Sequence, residues 1–248
     1  MPEISPSRYL VQAGWDDVPH LDEQTKRELL EGTPPFLREA RSKGIPSLGA
    51  GAIYPIAWED VTVAPFAIPA YWPRAYGMDV GWNKTAATWL AKDPTDGALY
   101  AYSEYAAGQA VPVIHATAIK ARGPWIRGAI DPASRGRSQD EGKSLMVQYR
   151  NAGLKILPAV NAVEPGLYRV WELLQTGRLK LFSTLQNHAS EYRIYRRDEN
   201  GKVVKKHDHN MDSLRYGVMT FDQIARVKPV ATDETDRGFH AADTLSGY

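Results

Sequence analysis

At 248 residues the chain can bury a sizeable core, which suits one main domain with an extension. Its 30 Lys and Arg nearly balance 29 Asp and Glu, for a net charge of +1; a uniformly basic coat for nucleic acid is excluded, and any such contact must be local. Cysteine is absent, which excludes disulfides, zinc-thiolate sites and thiol catalysis. No apolar run nears the ~18 residues of a membrane span and no signal sequence is visible, so a soluble chain without a membrane partner is expected.

Residues 1–73 are rich in Pro and Gly. One helix is predicted there, from about Leu21 to Ser42, with Asp22 as N-cap and Gly44 and Pro46 closing it. The following stretch to Pro73 reads as extended, punctuated by Pro55, Pro65 and Pro69. The segment lacks the apolar content for its own core and is expected to be a linker or the tail end of a preceding domain.

From Arg74 to Val227 the pattern becomes that of a packed domain. Strands are predicted at Ala75–Val80, Thr85–Ala91 and Ala98–Tyr105, turning at Asn83-Lys84 and Pro94–Gly97. A helix at Val111–Ala121 precedes a short strand, Gly128–Ile130, that runs into Asp131. Then come a helix near Lys143–Ala152, a strand at Lys155–Leu157, a helix at Glu164–Gln175 and a strand at Leu179–Leu181. Three antiparallel strands followed by alternating helix and strand indicate an α/β fold, a mixed sheet flanked by helices. Arg193–Arg197 and Lys202–Lys206 around Glu199-Asn200-Gly201 predict a basic β-hairpin that projects into solvent. The last helix spans about His209–Arg226, with an apolar stripe of Met211, Leu214, Val218, Phe221 and Ala225. Residues 228–248 read as a flexible tail.

Three acidic positions stand out. Asp79 ends a strand that reads as buried, and an acid there is costly unless it is paired or binds a metal. Asp131 repeats the situation in Asp131-Pro132-Ala133-Ser134. Each also fits a plainer role, Asp79 capping the turn at Gly81 and Asp131 starting a turn before Pro132. On the last helix, Asp208, His209 and Asp212 lie three and four residues apart and can face one site, although Asp208 alone also suits an N-cap. Acids from two strand ends and one helix would suit two divalent cations, Mg²⁺ or Mn²⁺, ~3.5–4 Å apart.

In this order and spacing, Met78-Asp79-Val80-Gly81-Trp82, Asp131-Pro132-Ala133-Ser134 and Asp208-His209-x-x-Asp212-x-x-Arg215-Tyr216 resemble the nuclease domain of the large terminase subunit of tailed bacteriophages. Trp15–Leu21 and Ala40–Pro46 resemble the end of that subunit's ATPase domain and its linker. The resemblance implies an RNase H-like fold and two-metal cleavage of concatemeric double-stranded viral DNA in the cytoplasm of the infected host. It also implies a small terminase subunit and a portal protein as partners. Asp79 and Asp131 carry over as metal ligands. The third position stays a choice among Asp212, the preferred one, His209 and Asp208.

Gly136 to Gly142-Lys143-Ser144 resembles a phosphate-binding loop, but five residues separate the glycines where the motif needs four, so no ATPase activity is expected. Arg135, Arg137 and Lys143 follow Asp131 closely and are candidate phosphate contacts, as are Arg196 and Arg197 with Arg193, Lys202, Lys205 and Lys206 in the hairpin. Trp82 and Trp125 find no place in the predicted core. Two other readings stay open: another RNase H-like nuclease of the junction-resolvase or transposase type, and a non-catalytic module that docks on a portal or motor.

Overall fold

The structure, a computed structural model, describes residues 3–5, 8–9, 13–31, 42–43, 51–135, 144–198 and 200–229. Besides a small antiparallel pair, Glu3–Ser5 with Arg8–Tyr9, its strands are β1 (Thr62–Val63), β2 (Arg74–Asp79), β3 (Thr85–Lys92), β4 (Leu99–Ala107), β5 (Arg127–Ile130), β6 (Ile156–Pro158) and β7 (Leu179–Phe182). Among the described residues they form one seven-stranded sheet in the order β1-β7-β4-β3-β2-β5-β6. β2, β3 and β4 pair antiparallel, and every other neighbouring pair is parallel. The helices are α1 (Glu23–Glu31), α2 (Trp58–Val61), α3 (Pro112–Lys120), α4 (Leu145–Asn151), α5 (Val163–Gln175), α6 (Gln186–Tyr192) and α7 (His209–Ile224).

Side chains alternate across a strand, so β2 feeds two cores. Tyr76 and Met78 point to one face with Ala87 and Trp89 of β3, under Ala116 and Ile119 of α3 and Met146 and Tyr149 of α4. Ala75 points to the other face with Leu90, under Leu167 and Val170 of α5 and Met211, Leu214 and Phe221 of α7. On that second face sits Gly77, where α7 comes down until backbone meets backbone. A Cβ on Gly77 would fall on Ser213 O and the Gly217 amide, and one on Gly217 would come within 2.9 Å of Leu90. A strand glycine at a close backbone approach is required here by volume alone.

Residues 51–73, expected as linker, are built into this unit. Tyr54, Trp58 and Val61 are buried in the larger core, and β1 adds the edge strand beside β7. Pro-rich spacing hid these anchors because the helix that carries Trp58 and Val61 is a single turn. The N-terminal helix is described over Glu23–Glu31, with Asp22 accepting from the Thr25 amide at 2.8 Å as its cap. Gly44 and Pro46 lie outside the described residues, as does the C-terminal segment from 230.

The hairpin is shorter than expected. Its pairing is confined to Arg196–Val204, with Arg197 bridged to Val203 and the Asp198 amide bonded to Lys202 O. Tyr195 points inward and is 3% exposed, packed against Tyr54, so the first arm is anchored rather than free. α6 has no counterpart among the predicted elements. It has no apolar periodicity, and its buried residues are His188, Ala189, Glu191 and Tyr192. Nor does α7 show an open polar face: Asn210, Asp212, Ser213 and Arg215 are as buried as its apolar stripe.

The crossing of α7 over β2 predicts a contrast between two glycines. Gly77→Ala should cost about 3 kcal/mol in urea unfolding, because the helix has to lift off the strand. Gly201→Ala, at φ 74 with nothing within 4 Å, should cost about 1 kcal/mol from backbone strain alone.

Candidate active site

β2 and β5 run parallel in adjacent positions, with Met78 opposite Ile130. Both end at the same sheet edge, so Asp79 and Asp131 stand side by side about one strand spacing (~4.8 Å) apart. The Asp131 amide donates to Met78 O at 3.1 Å, which extends the register by one residue. Asp131 also performs its plainer role: Oδ1 accepts from the Ala133 amide at 3.0 Å. α7 begins above this edge because Gly77 lets it lie flat on β2, and its first residue, His209, donates from Nδ1 to Asp79 Oδ2 at 2.8 Å.

The pair is electrostatically loaded. Burial pushes the Asp79 carboxyl above its usual range, and the nearby charges of Asp212 and Asp131 push the same way against the His209 hydrogen bond. The bond to Asp79 raises His209 above an ordinary imidazole, with Asp208 and Glu191 adding to it and burial opposing.

The third cluster is arranged differently from the expectation. Asp208 occupies the N-cap position of α7 without a side-chain cap bond. It faces Lys205 instead, whose ammonium lies 3.2 Å from Asp208 Oδ2 and 2.8 Å from Asp212 Oδ2. Asp212 Oδ1 accepts from Arg215 Nε at 3.2 Å and Nη2 at 2.9 Å. Both oxygens of the preferred third ligand are therefore held by protein cations. Arg215 is 1% exposed, reaches Asn161 Oδ1 at 3.1 Å and stacks on Tyr216. Its aliphatic stem lies against Gly166 so closely that a Cβ there would meet it at 2.9 Å. Among the described residues no group of three His, Asp or Glu side chains is placed to hold a metal ion. The donors present are hard oxygens, and one oxygen of Asp79 is taken by His209, so the carboxylates of Asp79 and Asp131 are the chemistry that suits a divalent cation.

Behind the site lies a polar network that no sequence motif announces. Glu104 on β4 accepts from the Asn187 and His188 amides at 2.9 and 3.1 Å, capping α6. It also accepts from His188 Nδ1 at 2.7 Å, and His188 Nε2 meets Thr88 Oγ1 at 2.9 Å. Thr88 continues to Ser213 on α7. Glu191 on α6 takes Lys84 Nζ and the Asn210 amide, each at 2.6 Å. Among the buried polar residues around the site, only Arg215 had a local signal, its i,i+3 spacing from Asp212 on a helix. Glu104, His188 and Glu191 reach partners about a hundred residues away.

Of the candidate phosphate contacts, Arg196 is exposed, while Arg197 is committed to Glu164 through bonds of 2.9 and 2.7 Å. Arg137 and Lys143 lie outside the described residues, and Arg135 ends a short 3-10 turn, Pro132–Arg135. Trp125 is half-buried beside Arg74 at the core under α3 and α4, and Trp82 is 67% exposed three residues beyond Asp79. Among the described residues no helix is long and apolar enough to cross a membrane.

An antiparallel trio extended by parallel strands, with acids at the ends of two adjacent strands and a helix start above them, is the arrangement of RNase H-like nucleases. Residues 76–221 match the Terminase RNaseH-like domain, and the chain belongs to that family. It is 32% identical over 228 residues to the large terminase subunit of Salmonella phage P22, covering 87% of this chain and 45% of that one. The chain thus spans about half the length of the curated relatives it matches. The P22 large terminase nuclease domain superposes with a TM-score of 0.67 at 30% identity, over 73% of this chain and 97% of that one. The large terminase nuclease of thermophilic phage G20c, solved with bound magnesium, shares the fold at 15% identity. Its TM-score is 0.50, over 68% of this chain and 96% of that one.

The Glu104 network predicts an acid limit. Burial raises the Glu104 carboxyl, but the His188 bond and charge and the Asn187 bonds outweigh it and hold it at about 2. A depressed folded pKa gives stability that is present above the unfolded value of 4.5 and is lost as pH falls toward about 2. Glu104→Gln should cost ~2 kcal/mol at pH 7 and flatten that part of the acid-denaturation curve.

Proposed function

We propose that this chain is a divalent-cation-dependent endonuclease for double-stranded DNA, the nuclease part of a large terminase subunit that cuts concatemeric viral DNA during packaging. The observation that carries this reading is the side-by-side placement of Asp79 and Asp131 at adjacent parallel strand ends, in a chain of the terminase nuclease family. Asp79 and Asp131 would hold the metal, Mg²⁺ or Mn²⁺, and two ions are the expected complement. When bound, such ions acidify a water and neutralise the departing 3′ oxygen.

The chain's own residues supply the rest. His209 fixes one oxygen of Asp79 through Nδ1–H, which leaves Nε2 as the nitrogen that can carry a proton. Lys205 is more than half exposed, and an arriving phosphate competes with Asp212 for its ammonium. That exchange frees Asp212 Oδ2 as the third ligand only when DNA is present, and it frees Asp208 Oδ2 beside it. Arg215 keeps its hold on Oδ1 and so keeps Asp212 oriented. The buried Arg215 is the structural cation of the pair, and the exposed Lys205 is the movable one.

The whole subunit would act with a small terminase subunit and a portal protein in the cytoplasm of the infected host. The proposal does not extend to ATP hydrolysis.

Plasmid cleavage in Mn²⁺ tests the reading. Asp79→Asn and Asp131→Asn should each lower the rate by more than ~100-fold, the upper end for groups that only orient a ligand. A wild-type chain that cuts under no divalent cation, or an Asp131→Asn variant that cuts normally, would end it. For the DNA path, Arg196→Ala should lessen the salt dependence of binding by about 0.9 in log–log slope for each phosphate it no longer neutralises. Arg197→Ala should leave that slope unchanged and act on stability instead, because Glu164 is left without its cation.

A further inference from the structure

We infer that Glu191 is a positioning residue that sets the distance between the two halves of the metal site, an inference that rests on the metal-dependent reading above. Glu191 lies on α6, is 2% exposed and touches none of the three site acids. Its carboxylate joins two segments that each carry a site residue. Oε1 accepts from Lys84 Nζ at 2.6 Å and from Asn210 Nδ2 at 2.9 Å. Oε2 accepts from the Asn210 amide at 2.6 Å and more weakly from the Met211 amide at 3.4 Å. Lys84 closes the turn that leaves Asp79, and Asn210 and Met211 lie between His209 and Asp212. One buried carboxylate therefore ties the strand end bearing the first acid to the helix start bearing the third.

The chemistry of this tie favours a rigid strut. A carboxylate has about four acceptor positions, and here each is used by a donor held in secondary structure or a tight turn. Two of those donors are free amides of a helix N-terminus, where negative charge is favoured by the helix dipole. A helix cap alone needs only the amide arm, and Asp208 already occupies the N-cap position where a side chain could have supplied it. The Lys84 arm adds nothing to capping. It does connect the β2–β3 turn to α7, and the polar groups are enclosed, so bending the strut leaves a buried charge unpaired.

Two further links span the same gap, the His209–Asp79 bond and the crossing at Gly77. The first is partly exposed and uses a residue of the site itself. The second lies two residues back along β2 and sets how closely the helix approaches rather than where its first turn ends. Glu191 is the buried link at the level of the acids.

The test measures metal binding directly. Calorimetric titration with Mn²⁺ alone, well below the melting temperature, should show Glu191→Gln binding about tenfold more weakly than wild type. Hydrogen exchange should show the Asn210 and Met211 amides losing protection. Plasmid cleavage by the variant should recover toward the wild-type rate as Mn²⁺ is raised, because the ligands themselves are intact. Lys84→Met, which cuts only the other arm, should weaken Mn²⁺ binding in the same direction, and the double variant should lose less than the sum of the two. Glu191→Gln that melts earlier yet binds Mn²⁺ as tightly as wild type overturns the inference and leaves Glu191 a helix cap. Should Glu191→Gln not fold, Lys84→Met decides alone: weaker binding supports the strut, unchanged binding removes it. A wild-type chain that binds no Mn²⁺ defeats the metal reading, and this inference falls with it.

Discussion

Where α7 crosses β2 at Gly77 no side chain lies between them, and the arrangement of the site follows from that contact. A Cβ at Gly77 or Gly217 would hold the two backbones apart there. With the helix this low, its first turn arrives at the height of the strand end, and His209 can bond Asp79 directly. A helix held off by side chains of ordinary size would carry His209 and Asp212 farther from the acids on the sheet. The small residues on that face of the sheet, Ala75, Ala129 and Gly77, serve this approach as much as they serve packing.

Close approach has a consequence for polarity. A helix pressed between a sheet and two other helices has no wet side over residues 210–218, so the polar residues there must be satisfied inside the protein. The chain does this with carboxylates and cations drawn from distant segments. Glu104 caps α6, and Glu191 on α6 then caps α7. Arg215 and Lys205 hold the two oxygens of Asp212, and His209 holds one oxygen of Asp79. The site is thus partly neutralised by its own cations.

Much of the fold was legible because its signals are local. Strand alternation, turn residues at Asn83-Lys84 and Pro94–Gly97, and helical periodicity placed β2 to β7 and α3, α4, α5 and α7 within a residue or two. The exceptions share one cause. α6, β1 and the inward turn of Tyr195 are stabilised by partners far away in the chain, so their own residues show no period to read. The hairpin's basic arms looked solvated for the same reason: nothing near Arg197 in sequence reveals Glu164.

By itself, the order of residues determined that acids end two strands and begin a helix, because a charged group at the end of an apolar run marks its own exit from the core. It determined too that these elements alternate as a mixed sheet requires. Tertiary structure alone decided which acids are neighbours, which of their oxygens are already taken, and that Glu191 and Lys84 belong to the same constellation. Sheet order and helix height set those distances, and both depend on which backbones can touch rather than on any residue's own preference.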